Sequence, residues 1–162
     1  MRVLGIDPGS TCTGYGVLED GDGEPRIVAS GVIRPPKGSL SVRLNRIFAG
    51  LEEVISAHRP DAVAVEEVFH ARNPKSALVL GHARGVALLA AGRAGVGVHE
   101  YSTRKVKQTV TGHGNADKRQ VRSILEALLG EVPAQLDASD ALAVALCHLR
   151  WHDAPAARDG SS

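Results

Sequence analysis

The sequence contains few of the features that would place a protein in a special class. Its 162 residues include only two cysteines, Cys12 and Cys147. Two cysteines so far apart argue against a disulfide framework and against a zinc site built from thiolates. No apolar run approaches the roughly 20 residues that span a bilayer, and the start, MRVLGIDPGS, does not have the long apolar stretch of a signal peptide. We therefore expect a cytoplasmic protein with no membrane partner.

Aromatic residues make up only 3% of the chain, and its net charge is only +1. The distribution of charge is more informative than its sum. Residues 69–122 carry ten lysines and arginines against two acids, whereas acids outnumber basic residues on both sides of this segment. A basic middle between acidic ends is typical of a protein that holds a phosphate backbone near an acidic site. A solvated surface with uneven charge is the alternative.

The order of the predicted elements indicates one α/β domain. A chain of this length can build one core but not two α/β lobes, so we expect a single domain over residues 1–150 and a flexible tail over 151–162. Strands are predicted over residues 1–7, 13–19 and 26–34, with a hairpin at EDGDGEP. A helix, an apolar strand, a second helix, a fifth strand and three helices follow. A mixed five-stranded sheet with helices on both faces is the natural packing.

Acidic residues are expected to converge at one edge of this sheet. Asp7 ends the first strand, Glu66 and Glu67 end the fourth, and Asp137 and Asp140 share a face near the start of the last helix. The spacing does not decide between the two glutamates. Such a cluster repels itself unless a cation neutralises it, and oxygen ligands favour Mg²⁺ or Mn²⁺. The pattern predicts two-metal phosphodiester hydrolysis with Asp7 as a metal ligand.

Each acid also has a plain structural explanation. Asp7 before a Pro-Gly pair suits a turn, and either glutamate could simply cap a strand end. Acids in a first helical turn are favoured by the helix macrodipole, which explains Asp137 and Asp140 individually. The metal-site hypothesis therefore depends on the conjunction of all three places.

Four segments of the sequence together resemble one protein family: GIDPGSTCTGYGV, VAVEEVFHARNPKSALVLGHARGVAL, KVKQTVTGHGNADKRQV and DASDALAVALCH. They are similar, in order and spacing, to the bacterial RuvC Holliday-junction resolvases, from about Met1 to His148. The resemblance implies an RNase H-like fold and Mg²⁺-dependent cutting of four-way DNA junctions in recombination and repair. It further implies two ions per site, with Mn²⁺ able to substitute, and partnership with the RuvA and RuvB branch-migration complex.

The resemblance also assigns the residues of the active site. The metal-binding carboxylates that it implies are Asp7, Glu66, Asp137 and Asp140. It selects Glu66, the first residue after the apolar strand, and leaves the role of Glu67 open. Lys107 and Lys118 match family lysines near the scissile phosphate, where a positive charge steadies developing negative charge. A solvated lysine is the alternative at both positions.

A DNA-binding face is implied as well. Phe69 would stack on a base exposed at the junction, although a Phe just past a strand end more commonly fills the core. The other expected DNA contacts are His70, Arg72, Lys75, Lys105, Lys107, Lys118 and Arg119.

The helix after Pro74 is the expected interface of a homodimer. Two incisions on opposed strands need two active sites, and a two-fold dimer supplies them. Ala77, Gly81 and Gly85 recur every four residues on one face. Glycine in a helix interior costs about 0.8 to 1 kcal/mol relative to alanine, which suggests that close approach of another backbone compensates. Close packing on the chain's own sheet is the alternative.

Two other functions stay open on the sequence alone. An actin-like ATPase or sugar kinase also ends its first strand in a similar turn, but it needs two lobes around a nucleotide. A non-enzymatic DNA-binding module of the same fold would be expected to lose acids, and here all four are present.

Overall fold

A computed structural model of the chain describes residues 1–67 and 72–152. Within these ranges the element order expected from the sequence is confirmed, with five strands and five helices. The elements are β1 (Arg2–Asp7), β2 (Thr13–Glu19), β3 (Arg26–Ile33), α1 (Leu40–His58), β4 (Ala62–Glu67), α2 (Pro74–Arg93), β5 (Gly97–Ser102), α3 (Thr103–Thr111), α4 (Lys118–Leu129) and α5 (Leu136–His152). Phe69, His70 and residues 153–162 of the expected tail lie outside the described residues. No helix of the described ranges is long and apolar enough to cross a bilayer.

The strands form the expected mixed sheet, in the order β3-β2-β1-β4-β5. The first three are antiparallel neighbours, and β1, β4 and β5 run parallel. The register pairs Asp7 with Gly14 and Thr13 with Ile33. One edge of the sheet therefore holds the ends of β1, β3, β4 and β5 and the start of β2. We call this the carboxyl edge.

Helices cover both faces of the sheet. The side chains of each strand alternate between these faces, so apolar residues lie on both and need to be covered. On β1, Val3 packs with residues of α3, α4 and α5, while Leu4 and Ile6 pack with α1 and α2. The result is a three-layer α/β structure with two apolar cores, one on each side of the sheet. This confirms the fold class that the sequence predicts.

Helix α5 lies very close to the backbone of β1 and β2. A Cβ atom added at Gly5 would lie 2.0 Å from the carbonyl oxygen of Ala141, and one added at Gly14 would lie 2.0 Å from that of Asp137. Only glycine permits such an approach, since any side chain would have to displace helix backbone. The first turn of α5 is thereby held against the end of β1.

Candidate active site

Asp7 and Glu66 leave the sheet on the face that α5 covers. Odd-numbered residues of β1 face α5, and Asp7 continues that alternation. On β4, Ala64 packs into the core beside α5, whereas Val65 packs with α1 and α2. The same alternation directs Glu66 toward α5 and Glu67 toward the opposite face. The structure thus gives a physical reason for choosing Glu66, which the sequence pattern alone does not supply.

The acids of α5 complete a group of four interacting carboxylates. Asp137 stands in the first turn of the helix, and Asp140 follows three residues later. Burial, followed by the charges of Asp140, Glu66 and Asp137, raises the pKa of Asp7 to about 8. A direct side-chain interaction with Asp137 also contributes to this rise in the pKa of Asp7. The four predicted metal ligands therefore lie near enough to affect one another.

Two of the other carboxyl groups are also perturbed. Burial raises the pKa of Glu66, and a hydrogen bond from Thr103 acts in the opposite direction. Burial likewise raises the pKa of Asp140, against the lowering effect of the Lys118 charge. Partly buried carboxylates that repel one another destabilise the ionised site unless positive charge is supplied.

Both predicted lysines reach this site. Lys118 Nζ lies 3.3 Å from a carboxylate oxygen of Asp140, and the charge of Asp140 raises the pKa of Lys118. A cleft of about 250 Å³ opens beside both lysines; it is lined by Glu66, Thr103, Val106, Lys107, Lys118, Val121, Asp140 and Ala143. The cleft thus presents both acids and cations to whatever enters it.

The chemistry of this donor set fits a hard divalent cation. Among the described residues, no three His, Cys, Asp or Glu side chains stand close enough, in their present rotamers, to hold a metal ion. The carboxylates are nevertheless close enough to raise one another's pKa values. Carboxylate oxygens select Mg²⁺ or Mn²⁺ over softer metals.

Three residues that the sequence reasoning did not include also belong to this edge. Burial, followed by a side-chain interaction with Asp137, raises the pKa of the Cys12 thiol to about 11. Thr103 begins α3 beside Glu66. Arg34 follows the end of β3, and the hairpin that joins the second and third predicted strands could have placed it there.

The other predicted DNA contacts occupy different surroundings. Arg72 and Lys75 are exposed at and before the start of α2, and Arg119 is exposed in the first turn of α4. Lys105 differs, because its Nζ lies 3.6 Å from the ring centroid of Trp151. The Lys105 ammonium group thus already makes a cation–π interaction, which a contact with DNA would have to replace.

The glycine face of α2 points away from the sheet. A Cβ atom added at Gly81 or Gly85 would meet no heavy atom within 4 Å, and the buried face of this helix is formed by Ala83, Ala87 and other alanines. Packing on the chain's own sheet, the alternative explanation of these glycines, is therefore wrong.

The described architecture defines an RNase H-like fold with a cluster of acids at the carboxyl edge. The family model for the crossover junction endodeoxyribonuclease RuvC matches residues 3–148. A curated relative of that name from Hahella chejuensis is 55% identical over 150 residues, which cover 92% of this chain and 87% of the relative. Another from Geobacter metallireducens is 53% identical over 151 residues, 91% of this chain and 92% of the relative. The chain belongs to the RuvC family.

Solved structures agree with this assignment. The structure titled T. thermophilus RuvC in complex with Holliday junction substrate has a TM-score of 0.88 and 40% identity, over 94% of each chain. The yeast mitochondrial Holliday junction resolvase has a TM-score of 0.68 at 14% identity, over 92% of this chain and 79% of that one. The second likeness shows the shared fold alone.

The perturbed Asp7 gives a prediction for the metal-free protein. Its pKa rises on folding from an ordinary value of 3.8 to about 8, so the folded state holds this proton more tightly than the unfolded chain. The resulting stabilisation is complete below pH 4 and is lost as the pH rises to 8, at up to about 1.4 kcal/mol per pH unit. Asp7→Asn, which stays neutral, should therefore lose less stability than wild type between pH 5 and pH 8 in urea denaturation with EDTA.

Magnesium provides the control for this measurement. At pH 8 it should stabilise the wild type, because a bound cation offsets the repulsion, and should stabilise Asp7→Asn much less. Parallel pH profiles for the two proteins would contradict the account.

Proposed function

We propose that this protein is a structure-specific endonuclease that resolves four-way DNA junctions by paired, metal-dependent phosphodiester hydrolysis, in recombination and repair. The observation that carries the proposal is the group of four interacting carboxylates beside two lysines at one sheet edge. Relatives that are more than half identical are named crossover junction endodeoxyribonucleases, and a structure at 40% identity is of a complex with a Holliday junction. We further expect cytoplasmic action and a partnership with RuvA and RuvB.

The four carboxylates would hold Mg²⁺, or Mn²⁺ in its place, with two ions per site. A cation bound there supplies an activated water and stabilises the leaving oxygen of the phosphodiester. Lys118 is held beside Asp140 at 3.3 Å, and Lys107 lines the same cleft. Both cations are placed to stabilise negative charge that develops on the phosphate. Glu67 leaves the sheet on the other face and has no assigned role.

The starts of the helices add to the case for a polyanionic substrate. Helices α1, α2 and α3 follow strands that end at the carboxyl edge, and α4 begins with Lys118 beside Asp140. None of these four helices has an acid in its first turn, although Asp117 caps the start of α4. Basic residues such as Lys75 and Arg104 stand there instead. A cation at a helix N-terminus is unfavourable by about 0.3 to 1 kcal/mol, and DNA phosphates would offset that cost.

Direct contacts to the DNA are part of the same proposal. Arg72, Lys75 and Arg119 are exposed and would bind backbone phosphates. Stacking of Phe69 on a junction base, and a contact from His70, stay predictions, because both lie outside the described residues. Lys105 would need to leave the ring of Trp151 to bind DNA.

The functional particle would be a homodimer formed through α2. Leu78 and Leu89 are 66% and 55% exposed, and Gly81 and Gly85 lie on the helix between them with no neighbour above them. An exposed apolar face with small residues at its centre allows two helices to approach closely. A two-fold pair would present two active sites to the two strands of a junction.

Glu66 and Glu67 provide a matched test of the catalytic proposal. Glu66→Gln should reduce cutting of a synthetic four-way junction in Mg²⁺ by at least ~100-fold, because it removes a ligand charge from the metal site. Binding of the junction in Ca²⁺, measured by gel shift, should stay within about threefold of wild type, since basic residues supply most of the affinity. Glu67→Gln should cut normally. Equal activity of the two variants would remove Glu66 from the mechanism.

The dimer is tested by filling the glycine face. Gly81→Leu should give a folded monomer in sedimentation, because the larger side chain blocks close approach of the second helix. That monomer should nick junctions in one strand more often than it resolves them. Ala57→Leu, at an exposed site on α1, should remain a dimer. A dimeric Gly81→Leu protein would reject this interface.

A further inference from the structure

We propose that Arg34 binds a backbone phosphate of the DNA on the β3 side of the carboxylates, opposite Lys107 and Lys118. The strand to be cut would then cross the four carboxylates between two cationic supports. This inference rests on the proposed function, which it extends by a substrate contact that the family resemblance does not supply.

The sheet register places Arg34 at the carboxyl edge. Ile33 pairs with Thr13 at the start of β2, and Arg34 is the next residue. Ile33 packs with the core beside α1 and α2, so the alternation of side chains directs Arg34 toward the other face, where Asp7 lies.

The strand order places Arg34 on the opposite side of Asp7 from Lys107, which shares its cleft with Lys118. Arg34 follows β3, two strands from β1 in one direction, and Lys107 lies on α3, which follows β5, two strands away in the other. Two strand spacings are about 10 Å. The carboxylates therefore stand between two separate sources of positive charge.

The electrostatics of Cys12 agree with this placement. Burial and Asp137 raise the pKa of the Cys12 thiol, while the charge of Arg34 acts to lower it. Because charge effects fall off with distance, this effect agrees with the position that the sheet register gives Arg34, on the Cys12 and Asp137 side of the site. Arg34 is therefore a neighbour of the acidic site in space as well as in register.

Arg34 is also available to a ligand. Three of the other four arginines of the first fifty residues have acidic partners: Arg2 and Arg26 share Glu19, and Arg46 pairs with an acid on its own helix. Arg34 is exposed, and no acid of residues 1–67 or 72–152 lies within ion-pair distance of it. A planar guanidinium can donate two parallel hydrogen bonds to a phosphate.

The salt dependence of junction binding tests this contact. Arg34→Gln should weaken binding in Ca²⁺ by about five- to tenfold near physiological salt, and lower the slope of log K against log salt by about 1 per subunit. Arg34→Lys should recover most of the loss. Arg26→Gln is the matched control: it removes the same charge at the other end of β3, about 26 Å away along the strand, and should bind as wild type does.

A neutral methylphosphonate, placed at one phosphate at a time on either side of the cut, locates the contact. At one position on one side of the cut, the methylphosphonate should weaken junction binding by the wild type but not by Arg34→Gln. The methylphosphonate that weakens binding by the wild type but not by Lys107→Gln should lie on the other side of the cut. Two results would overturn the Arg34 proposal alone, provided that the wild type binds the junction. In the first, Arg34→Gln loses no more junction affinity than Arg26→Gln does; in the second, the affinity lost by Arg34→Gln is additive with the loss caused by every methylphosphonate. A wild type that does not bind junctions would overturn the proposed function as well.

Discussion

The approach of α5 to the backbone of β1 and β2 is the contact on which the rest of the structure depends. Gly5 and Gly14 leave no side chain between sheet and helix, so the first turn of α5 comes to the end of β1. Asp137 and Asp140 thereby reach Asp7, and Glu66 joins them from β4 on the same face. The packing places like charges where they repel, so the ionised carboxylates destabilise the fold unless a proton or a cation neutralises them. The arrangement that the proposed metal site requires therefore lowers fold stability at this edge.

Most of the architecture could be predicted from the sequence, for physical reasons. Asp-Gly steps mark a hairpin, apolar residues at helical spacing mark α1, and a nearly all-apolar segment marks a strand covered on both faces. Topology then brings the ends of the parallel strands to one edge, so convergence of the acids could also be expected. The choice of Glu66 over Glu67 could not be made from this pattern. It depends on which face of β4 is covered by α5, and these two elements are far apart in the sequence.

Other features depend on contacts that no local pattern encodes. Lys105 lies over Trp151, 46 positions further along the chain, and nothing near either residue indicates that pairing. The glycines of α2 indicate close packing but not the side on which it occurs, and the structure turns them outward. Arg34 reaches the acidic edge through the register of β3 on β2, which the predicted hairpin indicates but does not fix. Positive charge is consequently spread around the carboxylates and is not confined to the basic middle of the sequence.

The central claim is that the four carboxylates form one binding site for divalent cations. Anomalous X-ray diffraction from crystals of the full chain soaked in MnCl₂ tests it most directly, because the anomalous signal locates the manganese without any prior assignment of its ligands. The account predicts an anomalous peak bound by Asp7 together with oxygens of Glu66, Asp137 or Asp140. Manganese bound only elsewhere, with these carboxylates free of metal at saturating concentration, would contradict it.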